Sequence, residues 1–364
     1  MRRFLAKWQK MDWLLFSAVF ILLAFSSSIL YSLNLNISQA DFLVFKKQIF
    51  FALAGLVLFF LIAGINYTVW STYSKLIFIF SALVLIFLLF FGAEIRGTTG
   101  WLTIGPFKVQ PVEFAKLALI IWLARFFTDH GREFKLGRYV FWSGFFSAIF
   151  ILLVIAQPDL GSALVMFGTW LVLVLFTGLS KKQLWWLILG FSLLVLLAWF
   201  FVLADYQKSR IITFFNPGMD PQGQGYNVIQ SMVAVGSGQL WGRGLSLGSQ
   251  SSLRFLPEPG TDFIYAVIAE DLGFLGSAIL LFLFVFIFYR LFLIMKKCQD
   301  DFGAYLVLGL ASMLLVQSFI NIGMNMGISP VTGIPLPLVS AGGSSLWSVL
   351  IGLGLAQSVH IRNS

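Results

Sequence analysis

Charge is what this 364-residue chain has least of: 24 Lys and Arg with 15 Asp and Glu make up only 11% of it. Soluble domains carry about 25% charged residues. One cysteine, Cys298, excludes a disulfide within the chain. Two histidines, His130 and His360, are too few for a Cys/His metal cluster. Nucleotide and hydrolase signatures are missing as well, with no GxxxxGK(S/T) loop, no HExxH and no GxSxG elbow. ATP-driven transport therefore has no support. The glycines of Val235–Gly248 imitate a phosphate loop in composition alone, and read as flexible or closely packed backbone.

Apolar surface is what the chain has in excess. The AVILMFWYC set reaches 59%, with 41 Phe and 12 Trp, and the mean hydropathy is +0.92. A globule of this length cannot hide so much from water. The expectation is an all-α, polytopic integral membrane protein.

A hydrocarbon core of about 30 Å needs roughly 20 apolar residues per helix. Windows of that size give ten spans: Asp12–Leu33, Gln48–Asn66, Lys75–Ala93, Pro111–Thr128, Tyr139–Ala156, Gly161–Gly178, Gln183–Ala204, Thr261–Met295, Phe302–Asn325 and Gly343–Val359. Met1-Arg2-Arg3 resembles the charged start of a signal peptide. The apolar run behind it is too long for one and lacks a small-x-small cleavage site, so it reads as a retained helix.

Lys and Arg near the span ends set orientation. With the N-terminus in the cytoplasm, fifteen basic residues fall inside, including Lys75, Arg125, Arg138, Arg290, Lys296, Lys297 and Arg362. Eight fall outside: Lys46, Lys47, Arg96, Lys108, Lys208, Arg210, Arg243 and Arg254. Both termini are expected to be cytoplasmic. The +9 net charge is then largely a topology signal, and no nucleic-acid partner is expected.

One transmembrane domain, 1–364, is expected, with an extracytoplasmic loop, 205–260, between the seventh and eighth spans. Three outer segments are too rich in Gly, Pro and polar residues for plain connectors: Glu94–Gln110, Asp205–Gly260 and Met326–Gly342. Long loops are usually functional or disordered. Tyr226, Trp241 and the apolar stretch Asn227–Val235 argue for order in the longest one. Any chemistry should be at this face.

Ionisable groups in or beside lipid are costly unless paired or wetted. Glu113 and Lys116, three apart in the fourth span, share a helix face. They are either a self-neutralising pair that pins helices or a cation oriented for an anionic ligand. Asp159 follows Gln157-Pro158, where it either caps the next helix or serves the site. Asp262 follows Pro257-Glu258-Pro259-Gly260. The apolar run after it would make one helix about 50 Å long. Counting up from Arg290 puts Glu270 and Asp271 at the outer membrane surface and Asp262 beyond, in a wet vestibule. There it is either a base or an acid that complements a helix dipole.

Several segments together resemble one family. They are Gln110-Pro111-Val112-Glu113-Phe114-Ala115-Lys116, Gln157-Pro158-Asp159-Leu160-Gly161 and Gly225-Tyr226-Asn227-Val228-Ile229-Gln230-Ser231. Thr261-Asp262-Phe263 follows, then Ala269-Glu270-Asp271-Leu272-Gly273. Asn321–Asn325 and Pro330–Pro337 lead to Gly342-Gly343-Ser344-Ser345. In that order they resemble the SEDS proteins (shape, elongation, division, sporulation) over nearly the whole chain. Asp220-Pro221-Gln222-Gly223 and Gly248-Ser249-Gln250 are closer to the elongation branch than to the division branch.

The resemblance implies a peptidoglycan glycosyltransferase with ten membrane helices and cytoplasmic termini. Such proteins polymerise lipid II at the outer face of the cytoplasmic membrane, with a class B penicillin-binding protein and other elongation-complex proteins. The family's catalytic Asp falls on Asp262, and its important Glu, Lys and Asp fall on Glu113, Lys116 and Asp159. The chain departs from the family pattern at Gly100, Lys108, Gly260 and Ala341, where Arg, Arg, His and Tyr are usual. Arg96 is the candidate to compensate for the missing arginines.

In the implied reaction Asp262 is the base. Lys116 (positioned by Glu113), Arg96, Lys108 and Arg210 then offset the charge of a departing pyrophosphate. A divalent cation would share that work, but no ligand set for it is legible. Two alternatives use the same residues: a lipid II flippase, and a non-catalytic scaffold of the elongation or division complex.

Overall fold

A computed structural model describes residues 8–35, 42–95, 97–105, 107–130, 136–201, 205–220, 223–253 and 255–363. Each of the ten apolar windows lies on a long helix. They are α1 (Trp13–Leu35), α2 (Leu43–Gly64), α4 (Ser74–Phe91), α5 (Pro111–His130), α6 (Leu136–Ala156), α7 (Leu160–Phe176), α8 (Lys181–Phe201), α12 (Ile264–Lys297), α13 (Asp301–Asn325) and α14 (Gly343–Asn363). Shorter helices are α3 (Tyr67–Thr72), α9 (Asp205–Phe215), α10 (Gln224–Ser237) and α11 (Ser249–Ser252). Among the described residues, seven helices are long and apolar enough to cross a membrane.

Side-chain capping marks several starts. Asn66, Asp159 and Asp300 accept the backbone N–H of Thr68 (3.2 Å), Ser162 (2.9 Å) and Gly303 (3.0 Å). The helices pack around two apolar cores. One joins α1, α2, α12, α13 and α14, and the other joins α4, α6 and α7. α5 is the wall between them: Leu117, Ile120 and Ile121 face the first core, and Ala118, Leu119 and Leu123 the second. Small residues set the closest approaches. A Cβ on Gly55 would lie 2.4 Å from Leu350 Cδ1, and one on Gly354 would lie 2.7 Å from the Phe59 carbonyl oxygen.

Two features were not expected from the sequence. The segment before α5 is not irregular. It folds into a three-stranded antiparallel sheet of β1 (Ala93–Ile95), β2 (Thr98–Ile104) and β3 (Phe107–Val109), in that order. The single helix of about 50 Å expected after Asp262 is broken at Gly273, whose φ of 64° and ψ of −160° are not helical. Beyond the break, the stretch to Lys297 is about 36 Å long, close to bilayer thickness.

The break is filled by the long loop. A continuous helix would pair the amides of Phe274 and Leu275 with the carbonyls of Glu270 and Asp271. Instead Phe274 N–H donates to Gln239 O (2.8 Å) and Leu275 N–H to Leu240 O (3.2 Å). The two carbonyls left over accept from Arg243 N–H and Gly244 N–H, both at 2.9 Å. A Cβ on Gly273 would lie 2.3 Å from Gly242 N, and one on Gly242 would lie 2.2 Å from Asp271 O. Gly238, Gly242 and Gly248 of this loop are closely packed backbone, whereas Gly236 has open space around it.

The acids beside the break are enclosed rather than at a water-facing surface. Glu270 and Asp271 are 0% and 1% exposed. The Glu270 carboxylate accepts from the N–H of Gln250 (2.7 Å) and Ser251 (2.9 Å), at the start of α11. Asp271 accepts the N–H of Ser246 at 3.3 Å.

Candidate active site

Asp262 stands in the turn that leads into α12, before the helix begins. The turn opens at Glu258, a non-glycine residue with φ of 49°. Its carbonyl accepts from Thr261 N–H (3.2 Å) and Phe263 N–H (3.4 Å). Left-handed backbone at such a residue costs about 1–2 kcal/mol, so the surroundings must impose it.

Those surroundings are polar and buried. The carbonyl of Asp262 accepts two amides from α13, Asn321 Nδ2 at 3.1 Å and Asn325 Nδ2 at 3.0 Å. Asn325 Oδ1 accepts Ala266 N–H at 3.0 Å, one of the orphan donors of the first α12 turn. Asn321 Nδ2 also donates to Ile334 O (2.7 Å), and Gln317 Nε2 to Pro335 O (3.0 Å). Gln317, Asn321 and Asn325 recur every four residues, on one face of α13, and each is 0% exposed. They peg the segment 327–342 beside Asp262. Ser340 Oγ donates to Thr261 O (2.6 Å), and Ala341 N–H to Gly260 O (2.9 Å). The Asp262 side chain is half-buried. Its Oδ2 lies 3.6 Å from where a Cβ on Gly333 would be.

This amide ladder was missed in the sequence. Its signal was available: three carboxamides four residues apart in an otherwise apolar span.

Glu113 and Lys116 connect to the same ladder. Lys116 Nζ donates to Glu113 Oε1 (2.9 Å) and to Gln317 Oε1 (3.4 Å), while Ser348 Oγ donates to Glu113 Oε2 (3.2 Å). Both ions are 2% exposed. The pair therefore pins α5 to α13 and α14, and its ammonium points inward.

Asp159 does two jobs. It caps α7 through Ser162, whose Oγ donates to Oδ2 at 2.8 Å. Gln110 Nε2 donates to the same oxygen at 3.1 Å, and Gln110 N–H reaches Ser344 Oγ at 3.3 Å. Burial raises this carboxyl above the usual range, against the bonds from Ser162 and the charge of Lys116.

The other basic candidates lie on separate elements. Lys108 is exposed on β3, opposite Thr103. Arg210 is half-buried on α9. Arg96 lies outside the described residues. The departure at Gly100 has a steric reason: a Cβ there would be 2.8 Å from Gln157 Oε1, and Gln157 is held by Leu85 O at 2.8 Å. Among the described residues, no group of three or more His, Cys, Asp or Glu converges as a metal site.

Long apolar helices around a buried polar network, seven of those described able to cross a membrane, with a half-buried acid at one end, define a multi-pass membrane protein with a polar site. The chain belongs to the FtsW/RodA/SpoVE family of cell cycle proteins, which its residues 9–364 match. It is 38% identical over 327 residues to stage V sporulation protein E of Bacillus subtilis (strain 168), covering 88% of this chain and 87% of that protein. It is 37% identical over 347 residues to the peptidoglycan glycosyltransferase MrdB of Escherichia coli (strain K12), covering 93% and 90%. Among solved structures, one chain of a peptidoglycan synthase complex, described for its coordination of polymerization and crosslinking, superposes with a TM-score of 0.78. It is 32% identical, over 97% of this chain and 98% of that one.

Proposed function

We propose that this chain is a peptidoglycan glycosyltransferase. It polymerises lipid II into β-1,4 glycan strands at the outer face of the bacterial cytoplasmic membrane. It serves cell elongation and works beside a class B penicillin-binding protein. The likeness to MrdB and to a chain of a peptidoglycan synthase complex supports the substrate and the partner.

Ten crossings with both termini cytoplasmic fit the geometry. Asp12 and Gln357 exchange two backbone–amide bonds, 3.0 and 2.9 Å, so the first and last helices end side by side. Lys296, Lys297 and Arg362 end α12 and α14 on that side. Asp262 is at the other end, with the long loop.

The observation that carries the mechanism is the frame around Asp262, whose carbonyl is fixed by two buried amides while its side chain stays half-exposed. Asp262 takes the proton from the 4-hydroxyl of the acceptor sugar as that oxygen bonds to the anomeric carbon of a lipid-linked donor. The anomeric C–O bond to pyrophosphate breaks, and the polyprenyl pyrophosphate leaves with the electron pair. One in-line displacement turns the α-linked donor into a β-1,4 bond. Lys108, Arg210 and Arg96 are the side chains to meet the leaving group. Lys116, enclosed with Glu113 and Gln317, acts as a fixed charge behind the site.

The test is lipid II polymerisation by the purified full chain with its penicillin-binding partner. Asp262→Asn is expected to lower the rate by about 100-fold or more, with an unchanged melting temperature. An unaltered rate would refute the assignment. A flippase would instead move lipid II across vesicles without making polymer.

A further inference from the structure

A cavity of about 870 Å³ opens at the opposite end of the bundle from Asp262, between α3, α4, α5 and α6. Nothing in the proposed reaction uses it. Its floor is aromatic: Trp122 packs against Phe78 and Phe146 with ring centroids 4.9 and 4.2 Å apart. Its rim is cationic, with Lys75, Arg125 and Arg138, all exposed. One carboxylate, Asp129, shares the rim, and its Oδ2 is taken by Arg125 Nε at 2.7 Å. Arg125 Nη1 is fixed from behind by Ser71 Oγ at 3.0 Å, and Ser71 is buried. Among the described lining residues, three cations and one carboxylate make a net positive rim over an apolar floor. At the mouth, Ile79 and Trp142 are exposed apolar side chains. A soluble anion has no use for such a floor, and an apolar ligand has no use for such a rim.

We propose that this cavity binds the headgroup of an anionic glycerophospholipid. The phosphate lies among Lys75, Arg125 and Arg138, and an acyl chain runs past Phe78, Trp122 and Phe146 toward Ile79 and Trp142. The volume suits a headgroup and the first part of a chain. A basic pocket between membrane helices is the expected form of such a site. The inference rests on the topology proposed above only in placing the lipid in the cytoplasmic leaflet. Binding to the purified chain does not depend on it or on catalysis.

The delipidated full chain in detergent would be titrated with dioleoylphosphatidylglycerol and with dioleoylphosphatidylcholine, with bound lipid counted by native mass spectrometry. The native chain is expected to prefer the anionic lipid about tenfold or more. Lys75→Gln and Arg138→Gln should each weaken that preference about fivefold. Arg125→Gln also removes two internal bonds, so the other two variants carry the test if it folds poorly. Lys182→Gln, an exposed lysine at the start of α8, is the control and should leave the preference intact. Equal binding of the two lipids overturns the proposal. So does a preference unmoved by both rim variants, an equal loss in Lys182→Gln, or displacement of the lipid by millimolar inorganic phosphate.

Discussion

Asp262 is held by atoms that have no part in the reaction proposed for it. Asn321 donates to the carbonyls of both Asp262 and Ile334. Asn321→Ala would strand the Ile334 carbonyl and leave that of Asp262 to Asn325 alone, and is expected to cost about 1–3 kcal/mol of stability. It should lower kcat with little change in KM, as measured by lipid II polymerisation beside a thermal melt. The Glu113–Lys116 pair makes a second, sharper case. Removing one ion leaves the other buried alone, which costs about 3–5 kcal/mol. Glu113→Gln and Lys116→Met should each lower the melting temperature, and the double variant should recover much of the loss. These acids and the lysine were legible in the sequence because charge stands out in a chain that is only 11% charged. The amides beside them showed only as a four-residue spacing; the groups they bond did not show at all. Gln317, Asn321 and Asn325 change the hydropathy of their span little, and their value lies in backbone carbonyls supplied by distant segments.

At the scale of elements, the joint at Gly273 decides what Asp262 is attached to. Glu270 and Asp271, before the break, are bonded to Arg243 and Gly244 of the loop, and Phe274 and Leu275, beyond it, to Gln239 and Leu240. Gly273→Ala puts a side chain at φ 64°, 2.3 Å from Gly242 N. With ψ at −160° this backbone is open essentially to glycine alone and costs another residue about 1–3 kcal/mol, and the clash adds to it. Lower yield of monodisperse protein and faster proteolysis of the 205–253 region are expected. The sequence shows an apolar run on both sides of Gly273, and glycine is common in membrane helices. Only the loop, by supplying the substitute hydrogen bonds, makes a break affordable in lipid. The sheet at Ala93–Val109 escaped notice because its strands are only three, seven and three residues long, too short to show a clear alternation.

For the whole molecule, the helical, multi-pass character was readable from hydropathy because lipid tolerates little else, and seven of the described helices are long and apolar enough to cross a membrane. Sidedness is the part to measure. In spheroplasts, a cysteine at Leu240, exposed in the long loop, should react with a membrane-impermeant maleimide. A cysteine at Lys182 should react only after permeabilisation. The native thiol will interfere little: burial pushes Cys298 up to about 12, aided by the nearby Asp300 carboxylate, so it stays protonated near neutral pH. The paired bonds between Asp12 and Gln357 bear on how the protein is made. Their partners are 345 residues apart, so during synthesis the first helix enters the membrane long before its partner exists. Until the last helix arrives, the Asp12 backbone must find water or other donors and acceptors. A chain released early keeps that end unsealed, a mark by which membrane quality control can tell a truncated product from a finished one.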